Sequence, residues 1–208
     1  MLKIILSTFI IAIFFNACIF NNPKKFEEQA QLKIANTCSK FDNLDKKLAC
    51  YSNIVDKNSV AQLRLGIYNA GKKEFKKALT LFTQAKENGN FYANLPLAYL
   101  YFKGDGVEKD LKKSFNYLKE TSNIDPNSSY QLSRFYLQGT IVEKDTKKGL
   151  QLLINSANKG MRIAQGKLAT IYKKGSFGVS KNEKEALFWV NKAKENAKKR
   201  IFKAPLIN

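Results

Sequence analysis

Apolar residues recur at three- and four-residue steps along almost the whole chain beyond residue 25, the spacing of amphipathic helices and not of strands. Ala30, Ile34, Ala35 and Cys38 fall together on a first segment. Leu44, Leu48, Tyr51 and Val55 fall together on a second, after a turn near Phe41 to Asn43. The pattern predicts a helical hairpin over 26–56. From about residue 60 the apolar segments come in pairs: 60–70 with 74–88, 93–103 with 110–122, 128–138 with 145–159, and 164–174 with 182–198. Ten helices in five hairpins are expected on this pattern.

The pairs are copies of one unit. Ala93 to Gly104 reads Ala-x-x-x-Leu-Ala-x-x-Tyr-x-x-Gly, and the pattern returns twice further on with one imperfect echo before it. Tyr-x-x-Gly falls at Tyr68/Gly71, Tyr101/Gly104, Tyr136/Gly139 and Tyr172/Gly175, so the glycines step by 33, 35 and 36 residues. A period in that range is the signature of a helical repeat array. The same turn follows three of the glycines: Gly-Val-Glu-Lys-Asp at 106–110, Ile-Val-Glu-Lys-Asp at 141–145 and Gly-Val-Ser-Lys-Asn at 178–182. Asp110, Asp145 and Asn182 stand where a side-chain oxygen can cap the N–H groups opening each second helix. Gly104, Gly139 and Gly175 stand where first helices end in a left-handed residue. Pro96 belongs in a first turn, because deeper in a helix it would remove a hydrogen bond.

The unit resembles the Sel-one-like subclass of tetratricopeptide repeats, over about 60–197. The first copy leans toward an ordinary tetratricopeptide repeat, with Leu65-Gly66, Phe75, Ala78, Phe82 and Ala85 at that family's spacing and without the Gly-Val-x-x-Asp insert. The third departs most, with Ser133 for Gly and Gly149 for Ala, changes expected to weaken the helix locally. The resemblance implies an all-α fold, a right-handed α-solenoid of stacked antiparallel helix pairs. It also implies that first helices line a concave face, here presenting Leu63, Ile67, Tyr99, Phe102, Tyr130, Arg134, Leu137, Gln138, Thr170 and Lys173. Of these, Tyr99, Phe102, Tyr130, Arg134, Gln138 and Lys173 are the candidate binding groove, since aromatics beside an arginine suit peptide recognition. The alternative for the aromatics is that they fill gaps between adjacent repeats. Trp189, at the position of Leu81, Tyr117 and Leu152, is expected in the core.

Ahead of the helices, Met1-Leu2-Lys3 and the apolar run Ile4 to Phe15 read as an export signal over 1–17, too short to span a bilayer comfortably. Phe15-Asn16-Ala17-Cys18 resembles a bacterial lipoprotein processing site, which would make Cys18 the lipidated residue and 18–25 a tether. An ordinary cleaved secretory peptide and an uncleaved anchor remain the alternatives. The remaining boundaries are an array over 57–200 and a tail over 201–208, which can fold back as a cap or stay loose. Ile19, where an aspartate would favour inner-membrane retention, implies the outer membrane on the same resemblance. In an oxidising compartment Cys38 and Cys50, one on each arm of the hairpin, can form a disulfide. In a reducing one they would be two free, buried thiols.

The formal charge of +19, one less once Lys3 leaves with the signal, favours acidic partners through long-range attraction. An exported protein with no aromatic-basic motif is not expected to bind nucleic acid. Lysine pairs at 72–73, 76–77, 112–113 and 147–148 read as the solvated outer face of second helices. The chain has no histidine, which excludes Ser-His-Asp and Cys-His catalysis and His-ligated metals. Ser156-Ala-Asn-Lys159 matches the Ser-x-x-Lys of penicillin-recognising enzymes, but the companion Ser-Asp-Asn and Lys-Thr-Gly elements are absent. No cofactor or metal is called for, and the expected role is a protein- or peptide-binding scaffold in the cell envelope. A toxin-neutralising immunity lipoprotein, a role of some exported relatives, and a weak β-lactam hydrolase are the alternatives.

Overall fold

The computed structural model describes residues 23–199. The signal segment, Cys18, most of the tether and the tail lie outside the described residues. Within them ten α-helices follow one another: α1 Pro23–Ser39, α2 Leu44–Ile54, α3 Ser59–Gly71, α4 Phe75–Glu87, α5 Asn94–Lys103, α6 Leu111–Thr121, α7 Pro126–Gln138, α8 Thr146–Asn158, α9 Arg162–Lys174 and α10 Glu183–Lys199. Single 3₁₀ turns at Val55–Lys57 and Phe91–Ala93 join the first hairpin to the array and α4 to α5. The helices stack as five antiparallel pairs, each burying apolar residues against its partner and against the next pair. The first helix begins at Pro23, inside the stretch expected to be tether, because proline is tolerated in a first turn whose N–H groups have no helical acceptor.

The recurring turn explains its own spelling. In each of the last three units the glycine takes a positive φ, 81°, 70° and 68° at Gly104, Gly139 and Gly175, and its N–H returns to the helix it closes. The valine that follows, Val107, Val142 or Val179, packs into a core cluster. The capping residue then donates its backbone N–H to the carbonyl of the repeat tyrosine: Asp110 to Tyr101 at 2.9 Å, Asp145 to Tyr136 at 3.0 Å and Asn182 to Tyr172 at 2.8 Å. Its side chain accepts from the N–H three residues on, Lys113, Lys148 and Glu185. One residue therefore ties the end of each first helix to the start of the second, which holds their spacing constant from unit to unit.

The small position of each second helix, Ala78, Ser114, Gly149 and Ala186, is buried where first and second helices cross. Gly149 is not a weakness at that point: a Cβ there would lie 2.7 Å from Leu137 Cγ, so the glycine is what lets Leu137 pack inward. Leu137 and Leu63, expected on the concave face, are both 5% exposed and belong to the packing between helices. Trp189 is core, as its repeat position implies.

The first hairpin caps the array. Ala35, Cys38 and Tyr51 pack on Ala61 and Leu65 of α3, while Ala30, Ile34 and Leu44 of the expected apolar faces are exposed. Cys38 and Cys50 are joined in a disulfide, with Cα atoms 5.4 Å apart. Arg64, buried in α3, reaches across to this hairpin: Nη1 donates to the Ala35 carbonyl and the Tyr51 hydroxyl and Nη2 to Asn36 Oδ1. Of the lysine pairs, Lys72-Lys73 lies in the turn between α3 and α4 and not on a second helix. The other three pairs are exposed on second helices, and Lys113 and Lys148 lie over the rings of Tyr101 and Tyr136.

Candidate functional site: a crevice between α5 and α7

Consecutive first helices leave a crevice between them wherever their facing side chains are not long enough to close it. Between α5 and α7 such a crevice of about 320 Å³ is floored by Ala98, Leu111, Ser114, Leu118 and Phe135, and its mouth carries Tyr99, Phe102, Lys103, Lys109, Gln131, Arg134, Gln138 and Thr140. Among the described residues that line it there is no carboxylate. The volume is at the lower end of the range for small-ligand sites and suits one or two side chains of a bound segment.

Tyr99 and Phe102 are each 38% exposed, partly rim and partly wall. The Phe102 ring meets Phe135 edge-on with centroids 6.2 Å apart, and Phe135 in turn meets Phe115 at 5.7 Å, so the rim aromatic is braced by the core behind it. Gln131 Nε2 donates to the Tyr99 hydroxyl at 2.8 Å, and Arg134 Nη1 donates to Gln131 Oε1 at 2.8 Å. The relay spans the crevice from α5 to α7. Burial pushes the Tyr99 phenol above its ordinary value, although the Gln131 bond acts the other way.

Of the six groove candidates, the structure brings Tyr99, Phe102, Arg134 and Gln138 to one place and separates the other two. Tyr130 is half-buried and packs against the last core cluster, filling the space between adjacent repeats. Lys173 lines a separate, open depression of about 980 Å³ along α9 and α10, with Thr170, Leu187 and Val190. Repeat register does not distinguish them: Phe102, Leu137 and Lys173 occupy the same place in their units, two residues before the glycine, yet one is rim, one is core and one lines the second depression. Gln131 and Phe135 were missed. Gln131 aligns with Pro96 in the preceding unit, and nothing in its local sequence shows that a tyrosine from that unit stands opposite.

Ser156 is fully buried and its hydroxyl donates to the Pro126 carbonyl at 2.7 Å, closing the α7–α8 pair. Lys159 donates to the Asn123 carbonyl. Ser156 thus packs between helices, while Lys159 is only partly buried. Among the described residues no cluster of His, Cys, Asp and Glu could hold a metal, and no helix is long and apolar enough to cross a membrane.

The Sel1 repeat model matches the sequence at 59–90, 92–123, 126–161 and 162–197, the four array units in succession. The chain belongs to the Sel1 repeat family. Sel1 repeats are solenoid units that generally serve protein–protein interaction, and the crevice lies within two of them. Among solved structures the chain is similar to a Sel1 repeat protein from Oxalobacter formigenes, 21% identical over 83% of this chain and 73% of that one, with a TM-score of 0.70. It is also similar to c5321, a protective antigen of uropathogenic Escherichia coli with the same repeat fold, 23% identical over 81% of this chain and 38% of that one, TM-score 0.66. A sel1 repeat protein from Klebsiella pneumoniae aligns over 86% of this chain and 92% of its own at 17% identity, TM-score 0.53. At these identities the likeness is one of fold. None of the curated proteins matches the sequence.

Proposed function

We propose that this Sel1 repeat protein is an exported, lipid-anchored scaffold of the cell envelope that holds a protein or peptide partner, of acidic character, in the crevice between α5 and α7. The observation that carries the reading is the convergence of Tyr99, Phe102, Arg134 and Gln138 over a mainly apolar floor, with Lys103 and Lys109 at the mouth and no carboxylate among the described lining residues. A chain with a surplus of nineteen positive charges draws an acidic partner toward it, and a half-buried aromatic pair beside an arginine is the residue mix of interface hot spots. The disulfide of the cap agrees with an oxidising compartment.

Crosslinking in intact envelopes followed by pull-down of the full chain tests the reading. The partner recovered with the wild type is expected to be lost with Arg134→Ala and Phe102→Ala, each weakening binding by about 2 kcal/mol or more, while Lys147→Ala on the outer face changes little. A partner that survives both crevice substitutions but is lost when the outer lysine pairs are neutralised would move the function to the convex face. For the anchor, Cys18→Ser is expected to abolish incorporation of a labelled fatty acid and leave a larger precursor. Unchanged labelling removes that part of the proposal.

A further inference from the structure

The polar relay across the crevice has a fixed direction, and the direction shows what is missing from it. A guanidinium has donors and no acceptor, so the group of Gln131 that meets Arg134 has to be the carboxamide oxygen. The carboxamide nitrogen then faces Tyr99 and donates to its hydroxyl. The Tyr99 oxygen is therefore an acceptor within the protein, and its own proton points away from Gln131 with no protein acceptor among the described hydrogen bonds. Because burial disfavours the phenolate, that proton is retained at neutral pH. Arg134 likewise uses one of its five N–H groups in the relay and meets no carboxylate within ion-pair distance among the described residues. Two unspent donors thus flank one rim of a cavity whose floor, Leu111, Leu118 and Phe135 with Ser114 among them, is mainly apolar.

We infer that the crevice recognises a carboxylate held beside a bulky apolar side chain: the carboxylate accepts hydrogen bonds from the Tyr99 hydroxyl and the Arg134 guanidinium, and the apolar group enters the cavity on Phe135 and Leu118. This rests on the crevice being the binding site and adds the ligand's chemistry to it. Arrangement and charge both select for the pair. An apolar segment alone leaves both donors without partners and the rim cations Lys103 and Lys109 uncompensated, whereas an acidic segment alone leaves the cavity unfilled. The carboxylate can come from an Asp or Glu next to the apolar residue or from the end of a chain whose last residue is apolar. The chemistry at the two donors is the same.

A random dodecapeptide library panned on the immobilised full chain, with the selected peptides resynthesised in free-acid and amidated forms, tests the inference by fluorescence anisotropy at 150 mM salt. Selected peptides are expected to pair an acidic with a bulky apolar residue and to weaken at least tenfold with Tyr99→Phe, which keeps the ring and removes the hydroxyl, both the free donor and the acceptor of Gln131 Nε2. Arg134→Lys, which keeps the charge and removes the fork, is expected to weaken them comparably, with unchanged melting temperature in both variants. Loss of binding on amidation assigns the carboxylate to a chain end, and retention assigns it to a side chain. Peptides that need Phe102 and Arg134 but carry no carboxylate, or that bind Tyr99→Phe as well as the wild type, overturn the inference and leave the crevice standing. Peptides indifferent to Phe102→Ala and Arg134→Ala, or a library that yields no binder, overturn both.

Discussion

Arg64 belongs to the array, but its guanidinium is committed to the cap: Nη1 donates to the Tyr51 hydroxyl at 2.7 Å, and the cation also lies 5.3 Å from the centre of the same ring. With Ala35 and Asn36 as the other acceptors, it is a buried charge satisfied by neutral oxygens and a π face. Arg64→Met keeps the length and removes the donors, leaving the Ala35 carbonyl and the Tyr51 hydroxyl without this partner. A loss of about 2 to 3 kcal/mol is expected, seen as a lower melting temperature and as faster amide exchange confined to 23–57. Exchange that quickens evenly along the chain would show that Arg64 is not specific to the cap.

The Cys38–Cys50 bridge closes a short loop, so its contribution is set by the restriction of the unfolded hairpin and is about 2 to 3 kcal/mol. Cys38→Ser with Cys50→Ser is expected to lower the melting temperature to that of the reduced wild type. Peptide mapping without reductant should recover the linked pair, and two alkylatable thiols in the native protein would refute the bridge.

Ile141 takes φ 62° at the place in the third unit where the second has Gly106, at φ 70°. A β-branched residue held left-handed costs about 1 to 2 kcal/mol, and glycine recovers that at the expense of some chain entropy. Ile141 is 46% exposed, so the apolar contact given up by glycine offsets part of that gain. Ile141→Gly is expected to leave stability within about 1 kcal/mol of the parent in chemical denaturation, well short of the usual cost of deleting a half-buried isoleucine, and a larger decrease would mean that side-chain packing outweighs the strain.

Gly149→Ala sets two effects against each other. Helix propensity favours alanine by about 1 kcal/mol, but the added Cβ would sit 2.7 Å from Leu137 Cγ and 3.1 Å from the Leu137 backbone nitrogen, where overpacking costs about 1 to 3 kcal/mol. The steric term wins because a backbone atom cannot rotate aside. Net destabilisation is expected, and a higher melting temperature would show that α7 and α8 separate at little cost.

Burial raises the phenols of Tyr99 and Tyr117, and the Tyr136 hydroxyl raises the Lys148 ammonium. All three groups hold their protons more tightly folded than unfolded. The stability linked to them is complete below about pH 10, where unfolded tyrosine and lysine begin to release protons, and falls as pH rises further. Denaturation at pH 8, 9.5 and 11 should show a decline confined to the last interval, shallower in Tyr99→Phe. An equal slope in that variant would exclude Tyr99 from the effect.

The repeat spelling was enough for the architecture because each part of it answers a local demand: the glycine ends a helix, the valine anchors the turn, and Asp110, Asp145 or Asn182 starts the next helix. Such demands act within one unit and are legible in a string of residues. The same reasoning placed Trp189 in the core and paired Cys38 with Cys50, since register within a hairpin is set by the hairpin itself. What lay between units was not legible in that way. Phe102, Leu137 and Lys173 share one repeat position, but the absence of a Cβ at Gly149 lets Leu137 be buried, and Lys173 lies apart in the depression along α9 and α10. Gln131 joins the site because packing α7 against α5 sets it opposite Tyr99, thirty-two residues earlier in the chain. The amphipathic pattern determines which face of a helix turns inward, but the offset between neighbouring helices comes from the sizes of the side chains at their crossing. That offset, settled only when the whole stack packs, is what opens the crevice.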